Sequence, residues 1–141
     1  MTDPIVLPRV QVSFDRQTMM QTFGATLVAA ADGRCVIRAP ILPTSLQQQG
    51  AGHAALTFGL GDSAAGYAAL TLQPDDADVL TVEMKINLLA PALGEALEAT
   101  GEVVRAGRRI IVVRAEVVAI DGEKRKPAAI LQGTFVPVAG G

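Results

Sequence analysis

The stretch HAALTFGLGDSAAGYAAL, residues 53–70, constrains the fold more than any other part of this chain. It is apolar around the whole circumference of a helix, and a helix of that kind has to be covered on every side. A single carboxylate, Asp62, interrupts it near the middle. An acid among apolar neighbours forfeits hydration worth several kcal/mol unless something pairs with it, so a partner has to come from elsewhere. A membrane span is a poor reading, because Asp62 at the centre would cost roughly 3 kcal/mol on the insertion scale. The stretch reads instead as a buried helix beginning at or just after His53.

The flanks supply the cover. FDRQTMMQTF, residues 14–23, carries Phe14, Met19, Met20 and Phe23 at roughly helical spacing and runs into Gly24, which predicts one short amphipathic helix. Two β-prone runs surround Asp32-Gly33, a dipeptide suited to a tight hairpin turn. PTSLQQQGAG then reads as a loop. Beyond Pro74, Leu80, Val82, Met84, Ile86 and Leu88 alternate with Thr81, Glu83, Lys85 and Asn87, the period-two pattern of a strand with one wet face. Further strand-like runs occupy about residues 95–106, 109–120 and 127–138, separated by PALG, AGRR and DGEKRK. The order predicts an α+β architecture: a long central helix wrapped by a curved antiparallel sheet of about six strands, in a single domain over residues 1–141. One sheet covers one side of the helix, which points to a second subunit on the other.

Composition narrows the function classes. Half of the 141 residues are hydrophobic, enough for a full core without metals or disulfides. A formal net charge of −2 gives no global field for nucleic acid or an acidic membrane surface. Cys35 is the only cysteine, which fits a reducing cytoplasm, and the start MTDP followed by RVQVSFDRQ lacks the order of a signal peptide. One histidine and one cysteine, with no acids clustered at ligand spacing, do not make an ordinary zinc set, so no metal is expected. Ser63 sits in GDSAAG, which lacks the Gly-x-Ser-x-Gly elbow of a serine nucleophile.

His53 and Asp62 are nine positions apart. At about 100° and 1.5 Å per residue they lie on opposite faces and roughly 13 Å apart along the axis, beyond contact in one chain. Two copies of the helix running antiparallel across a two-fold axis would bring the start of one near the middle of the other.

Gln47, His53 and Asp62 form the spacing Gln-x5-His-x8-Asp, and together with DSAAGYAA and the later INLLAPALGEALEATGEVVRAGRRIIVVRAEVVAIDGEKRKPAAILQGTFVPV they resemble the hotdog-fold acyl-CoA thioesterases of the phenylacetate-degradation type. The likeness runs from about residue 14 to 138. It implies that Asp62 is the general base or nucleophile in hydrolysis of a thioester, and that the Ala54 N–H polarises the carbonyl at the positive helix end. It implies further that Gln47 orients the carbonyl or the attacking water, and that His53 holds the loop and helix start. No cofactor is implied beyond coenzyme A as part of the substrate, and the assembly implied is a homodimer, or a dimer of dimers.

The family usually reads His-Gly-Gly where this chain has His53-Ala54-Ala55, which puts two methyl groups where substrate approaches. That departure keeps a rival reading open: a hotdog module that binds acyl-CoA without turning it over. A hotdog dehydratase is a second rival, but its histidine–acid spacing is absent. RAGRR reads first as a charged hairpin turn. Because the family binds the nucleotide on the outer surface, Arg105, Arg108 and Arg109 are also candidate phosphate contacts. Met19, Met20, Phe23 and Phe58 read as core residues, with Met20 and Phe58 also candidates for lining an acyl pocket.

Overall fold

The structure is a computed structural model that describes residues 3–140. Its N-terminal helical segment is longer than the sequence pattern predicts, and it is broken. Pro8 opens α1 (Pro8–Arg16), Gln17 adopts an extended conformation with φ −85° and ψ 96°, and α2 (Thr18–Phe23) follows. Proline at the first helical position has no N–H to leave unsatisfied, which explains the early start. The break turns the Gln17 side chain toward the long helix instead of continuing along α1. Gly24 ends α2 in the left-handed region at φ 69°, as its position before a strand predicts.

β1 (Thr26–Ala31) and β2 (Arg34–Pro40) form a hairpin whose turn residues Asp32 and Gly33 both have positive φ, 54° and 80°. The long helix α3 (Ala54–Leu70) follows, then β3 (Ala77–Leu88), β4 (Ala96–Ala106), β5 (Ile111–Asp121) and β6 (Lys124–Ala139). The six strands make one sheet in the order β1-β2-β4-β5-β6-β3, with every neighbouring pair antiparallel. This is the curved-sheet, central-helix architecture that the element order predicts. β1 and β3 are the two edges.

The sheet closes on α3 at the middle of its length. Gly101 of β4 faces the helix backbone so tightly that a Cβ there would stand 2.7 Å from Ala65 N. Only glycine permits that approach. Around it Leu56, Leu60 and Ala64 of α3 pack with Ile37, Leu97 and Val113 of the sheet, all at most 1% exposed. Phe14 of α1 reaches α3, its ring centroid 6.1 Å from that of Tyr67, and Val10 and Met20 join the same buried core. At its C-terminal end the guanidinium of Arg9, from α1, donates to the carbonyls of Leu70 at 2.7 Å, Pro74 at 2.8 Å and also Gln73. Leu70 O already accepts from Gln73 N and Pro74 O from Ala77 N, so the guanidinium adds a second, charged donor to the turn that ends α3.

β3 departs from the simple alternation. Its pairing with β6 runs Thr81 to Phe135 and then Glu83 to Thr134, so Val82 is an extra residue, a β-bulge. The bulge reverses which side chains face α3. Met84 and Ile86 are half-buried, whereas Leu80 and Val82, read as members of the same apolar face, are each 59% exposed. Thr81, read as a wet-face residue, points instead at the helix.

No helix among the described residues is long and apolar enough to cross a membrane.

Candidate active site

The loop before α3 is held by its own backbone. His53 N donates to Ser45 O at 2.8 Å, Gln47 N to Ala51 O at 2.8 Å, and Gly52 N to Ala92 O at 2.8 Å. The side-chain oxygen of Gln47 accepts from Gln49 N and from Ala51 N at 3.4 Å. With Oε1 engaged by the loop, what Gln47 has left to offer is its Nε2 donor, the polarity a carbonyl oxygen needs.

His53 is the N-cap of α3, and its Nδ1 accepts from Ala55 N at 2.8 Å. The cap consumes the second N–H of the helix and leaves that of Ala54, which has no intrahelical partner at this position. Gln47 and Ala54 line the same cleft of about 390 Å³, together with Thr57, Leu88, Leu89 and Pro91. A carbonyl oxygen entering there meets an amide donor and the positive end of a helix.

Asp62 lies elsewhere. It is half-buried and lines a second cleft of about 170 Å³ with Gln17, Ser63, Tyr67, Thr81 and Phe135. Its Oδ1 accepts a 2.9 Å hydrogen bond from Thr81 Oγ1, which is the partner that a carboxylate on this helix requires. Burial pushes the Asp62 carboxyl above its ordinary value, and the Thr81 hydrogen bond opposes that rise. The structure therefore brings Gln47 and Ala54 together and keeps Asp62 apart from both within one protomer. Among the described residues no cluster of three or more His, Cys, Asp or Glu could hold a metal ion.

The other candidates fall as follows. Met20, a candidate acyl contact, is sealed in the core at 1% exposure, because the short α2 turns it inward and sends Met19 out. Phe58 is half-buried and packs against the core, outside the lining of either cleft. Arg105, Arg108 and Arg109 are exposed at the β4–β5 turn, with no ion pair to any described residue. The register runs Ala106, Ile111, Phe135, Thr81 across the sheet, so this turn stands at the same end as the acid. At about 4.8 Å per strand the separation is roughly 14 Å.

Thr81, Gln17, Tyr67 and Ser13 carry polar chemistry beside Asp62 that pattern reading missed. The pattern marks Thr81 only as a polar alternate of β3, and nothing in the local sequence announces the bulge that turns it inward. A larger cavity, about 650 Å³, lies on the opposite face of the sheet among Lys85, Glu102, Arg114 and Glu116, with no helix terminus to bind a carbonyl. Size alone does not mark the site.

Residues 49–126, more than half of the chain, match the family model described as the thioesterase superfamily. The chain belongs to the thioesterase superfamily. The matched span holds Asp62, Ala54 and Thr81, and Gln47 lies just before it. Among solved structures, a thioesterase family protein from Silicibacter pomeroyi is 37% identical with a TM-score of 0.91, covering 94% of this chain and 97% of that one. The PaaI protein of the E. coli phenylacetic acid degradation operon is 20% identical with a TM-score of 0.84, covering 94% of this chain and 92% of its own, a likeness of fold. A curated relative from Saccharolobus solfataricus, whose name assigns it to the esterases, is 34% identical over 91 residues, 64% of each chain. The chain thus spans less than two thirds of that relative's length. The superfamily's hotdog architecture is the one described above.

Proposed function

We propose that the protein hydrolyses acyl-CoA thioesters in sites built from two subunits of a homodimer. One observation carries this reading: the carbonyl-binding groups, Gln47 and Ala54 N–H, and the acid, Asp62, occupy separate clefts of one protomer. Antiparallel apposition of two copies of α3 would join the first cleft of one copy to the second cleft of the other. Support comes from the sheet edge, where β3 leaves Leu80 and Val82 exposed beside the Asp62 cleft, an arrangement that proteins ordinarily cover. On the outer sheet face Lys85 and Arg114 stand among Glu102 and Glu116, a mixture of charges suited to stacking two such dimers.

In the assembled site the thioester carbonyl accepts from the Ala54 N–H, with Gln47 orienting it, and Asp62 of the other chain acts as general base. It takes a proton from water as the water oxygen bonds to the carbonyl carbon. The negative charge gathering on the carbonyl oxygen is stabilised at the helix start. The tetrahedral intermediate then collapses, the C–S bond breaks, and the proton passes from Asp62 to the departing thiolate, giving the acid and the free thiol. The exposed arginines of the β4–β5 turn are proposed to meet the phosphates of coenzyme A. The buried Cys35 thiol, pushed up to about 12 by burial, is unreactive and suits a cytoplasmic protein.

The methyl groups of Ala54 and Ala55 at the helix start support the second reading, binding of acyl-CoA without turnover. Hydrolysis of a panel of acyl-CoA esters, followed by free thiol release and repeated with Asp62→Asn, separates the two. Release that depends on Asp62 supports the enzyme, and binding without release supports the module.

A further inference from the structure

The cleft beside Asp62 contains a chain of polar side chains that hydrolysis itself does not use. Ser63 Oγ donates to Gln17 Oε1 at 3.1 Å, and Gln17 Nε2 donates to Tyr67 Oη at 3.0 Å. Ser13 Oγ and Tyr67 Oη are 3.1 Å apart. Two hydroxyls in contact use one proton between them, so whichever donates, the other keeps a proton with no acceptor in the network. Both hydroxyls line the cleft. A hydrogen-bond donor is therefore left over in the cleft that Asp62 also lines.

Three features define what fits. The cleft is about 170 Å³, less than half the volume of the cleft at Gln47 and Ala54, which favours a short acyl group. The donor calls for an oxygen acceptor on that group. Asp62 and Asp78 both line the cleft, and a carboxylate at the far end of the acyl group would face like charge. Tyr67 is 8% exposed, and its phenol is raised above its ordinary value by burial, against the hydrogen bonds from Ser13 and Gln17, so it remains a proton donor at neutral pH.

Building on the thioesterase reading, we propose that the Ser13–Tyr67 hydroxyl pair selects short acyl groups carrying a neutral oxygen, oxo or hydroxyl, remote from the thioester. Gln17, set at the break between α1 and α2, positions Tyr67 and ties it to Ser63, the neighbour of Asp62.

The test compares three five-carbon esters: 4-oxopentanoyl-CoA, pentanoyl-CoA and glutaryl-CoA. The wild-type protein should favour the oxo ester over the alkyl ester by about tenfold in kcat/KM, the worth of one hydrogen bond made in the bound state, with glutaryl-CoA last. The double variant Ser13→Ala/Tyr67→Phe removes both protons and should bring the oxo-to-alkyl ratio close to one. Equal kcat/KM for the oxo and alkyl esters in the wild-type protein overturns the proposal whether or not the variant folds. A preference for glutaryl-CoA overturns it too, as does a ratio that the double variant leaves unchanged. Absence of hydrolysis with all three esters would instead sink the thioesterase reading on which the proposal stands.

Discussion

Thr81 Oγ1 donates a 2.9 Å hydrogen bond to Oδ1 of Asp62, joining the edge strand β3 to the middle of α3. The bond stabilises the charged carboxylate, while burial opposes it. If Asp62 is the base, it works only when deprotonated, so activity rises with pH through its raised pKa. Thr81→Val removes the stabilising bond and should move the acid limb of the kcat/KM profile to higher pH. A pH–rate series on the two proteins checks this, and coincident acid limbs would mean that Thr81 does not act on the base.

Asp62→Asn should lower turnover by about 10² or more, since it removes the base and leaves the shape of the site intact. Its effect on stability has the opposite sign. A carboxyl whose pKa is raised on folding holds its proton more tightly in the native state, so stability falls as pH climbs from the unfolded value through the native one. Near neutral pH the variant should therefore be as stable as the parent or more so. Urea unfolding at pH 7 measures it, and a marked loss would identify Asp62 as a structural acid.

Arg108→Ala should raise KM for coenzyme A esters by about threefold or more, a modest effect because the residue is exposed. Hydrolysis of a small thioester without the nucleotide should barely change. Parallel losses on both substrates would argue against a phosphate contact.

Gln47→Ala and Asp62→Ala, each nearly inactive alone, should complement when unfolded together and refolded as a mixture. A mixed dimer has one intact site and one that lacks both groups. With random pairing about half of the dimers are mixed, so activity should recover to roughly a quarter of the parent's. Recovery no greater than that of the separately refolded variants, with mixed dimers verified by mass spectrometry, would locate each site within one chain.

Arg9→Ala should cost roughly 2 kcal/mol, because it strips charged hydrogen bonds from the end of α3. Arg9→Lys should restore only part, since an ammonium lacks the fork that reaches several carbonyls at once. Chemical denaturation of the three proteins decides it, and equal stability of the alanine variant would remove Arg9 from the account.

Local signals were enough for much of the fold. The apolar helix, the Asp32-Gly33 turn, the stop at Gly24 and the late strands all announce themselves within a few residues, because a helical or period-two pattern is written in consecutive side chains. The resemblance carried Gln47, His53, Ala54 and Asp62. What escaped depends on partners distant in sequence. Arg9 serves carbonyls more than 60 positions away, and Gln17 reaches Ser63 and Tyr67 across the break that it creates. Thr81 escaped for another reason. A bulge adds one residue without altering the composition of the strand, so the uninterrupted alternation of β3 concealed the place where its facing reverses.

That reversal sets the register of β3 against the alternation in its own sequence. In a regular, unbulged register Leu80 and Val82 would turn toward the helix with Met84 and Ile86, and Thr81 would turn away from the acid. The observed register gives up that burial and leaves Leu80 and Val82 outside. Our hypothesis is that a second copy, by covering those two side chains, tilts the balance toward the register that arms Asp62. Hydrogen exchange at Val79 to Val82 would then slow as protein concentration rises, and exchange independent of concentration would refute it. On this view dilution disarms the acid as well as parting the two clefts, and the strand itself acts as a sensor of whether its twin is present.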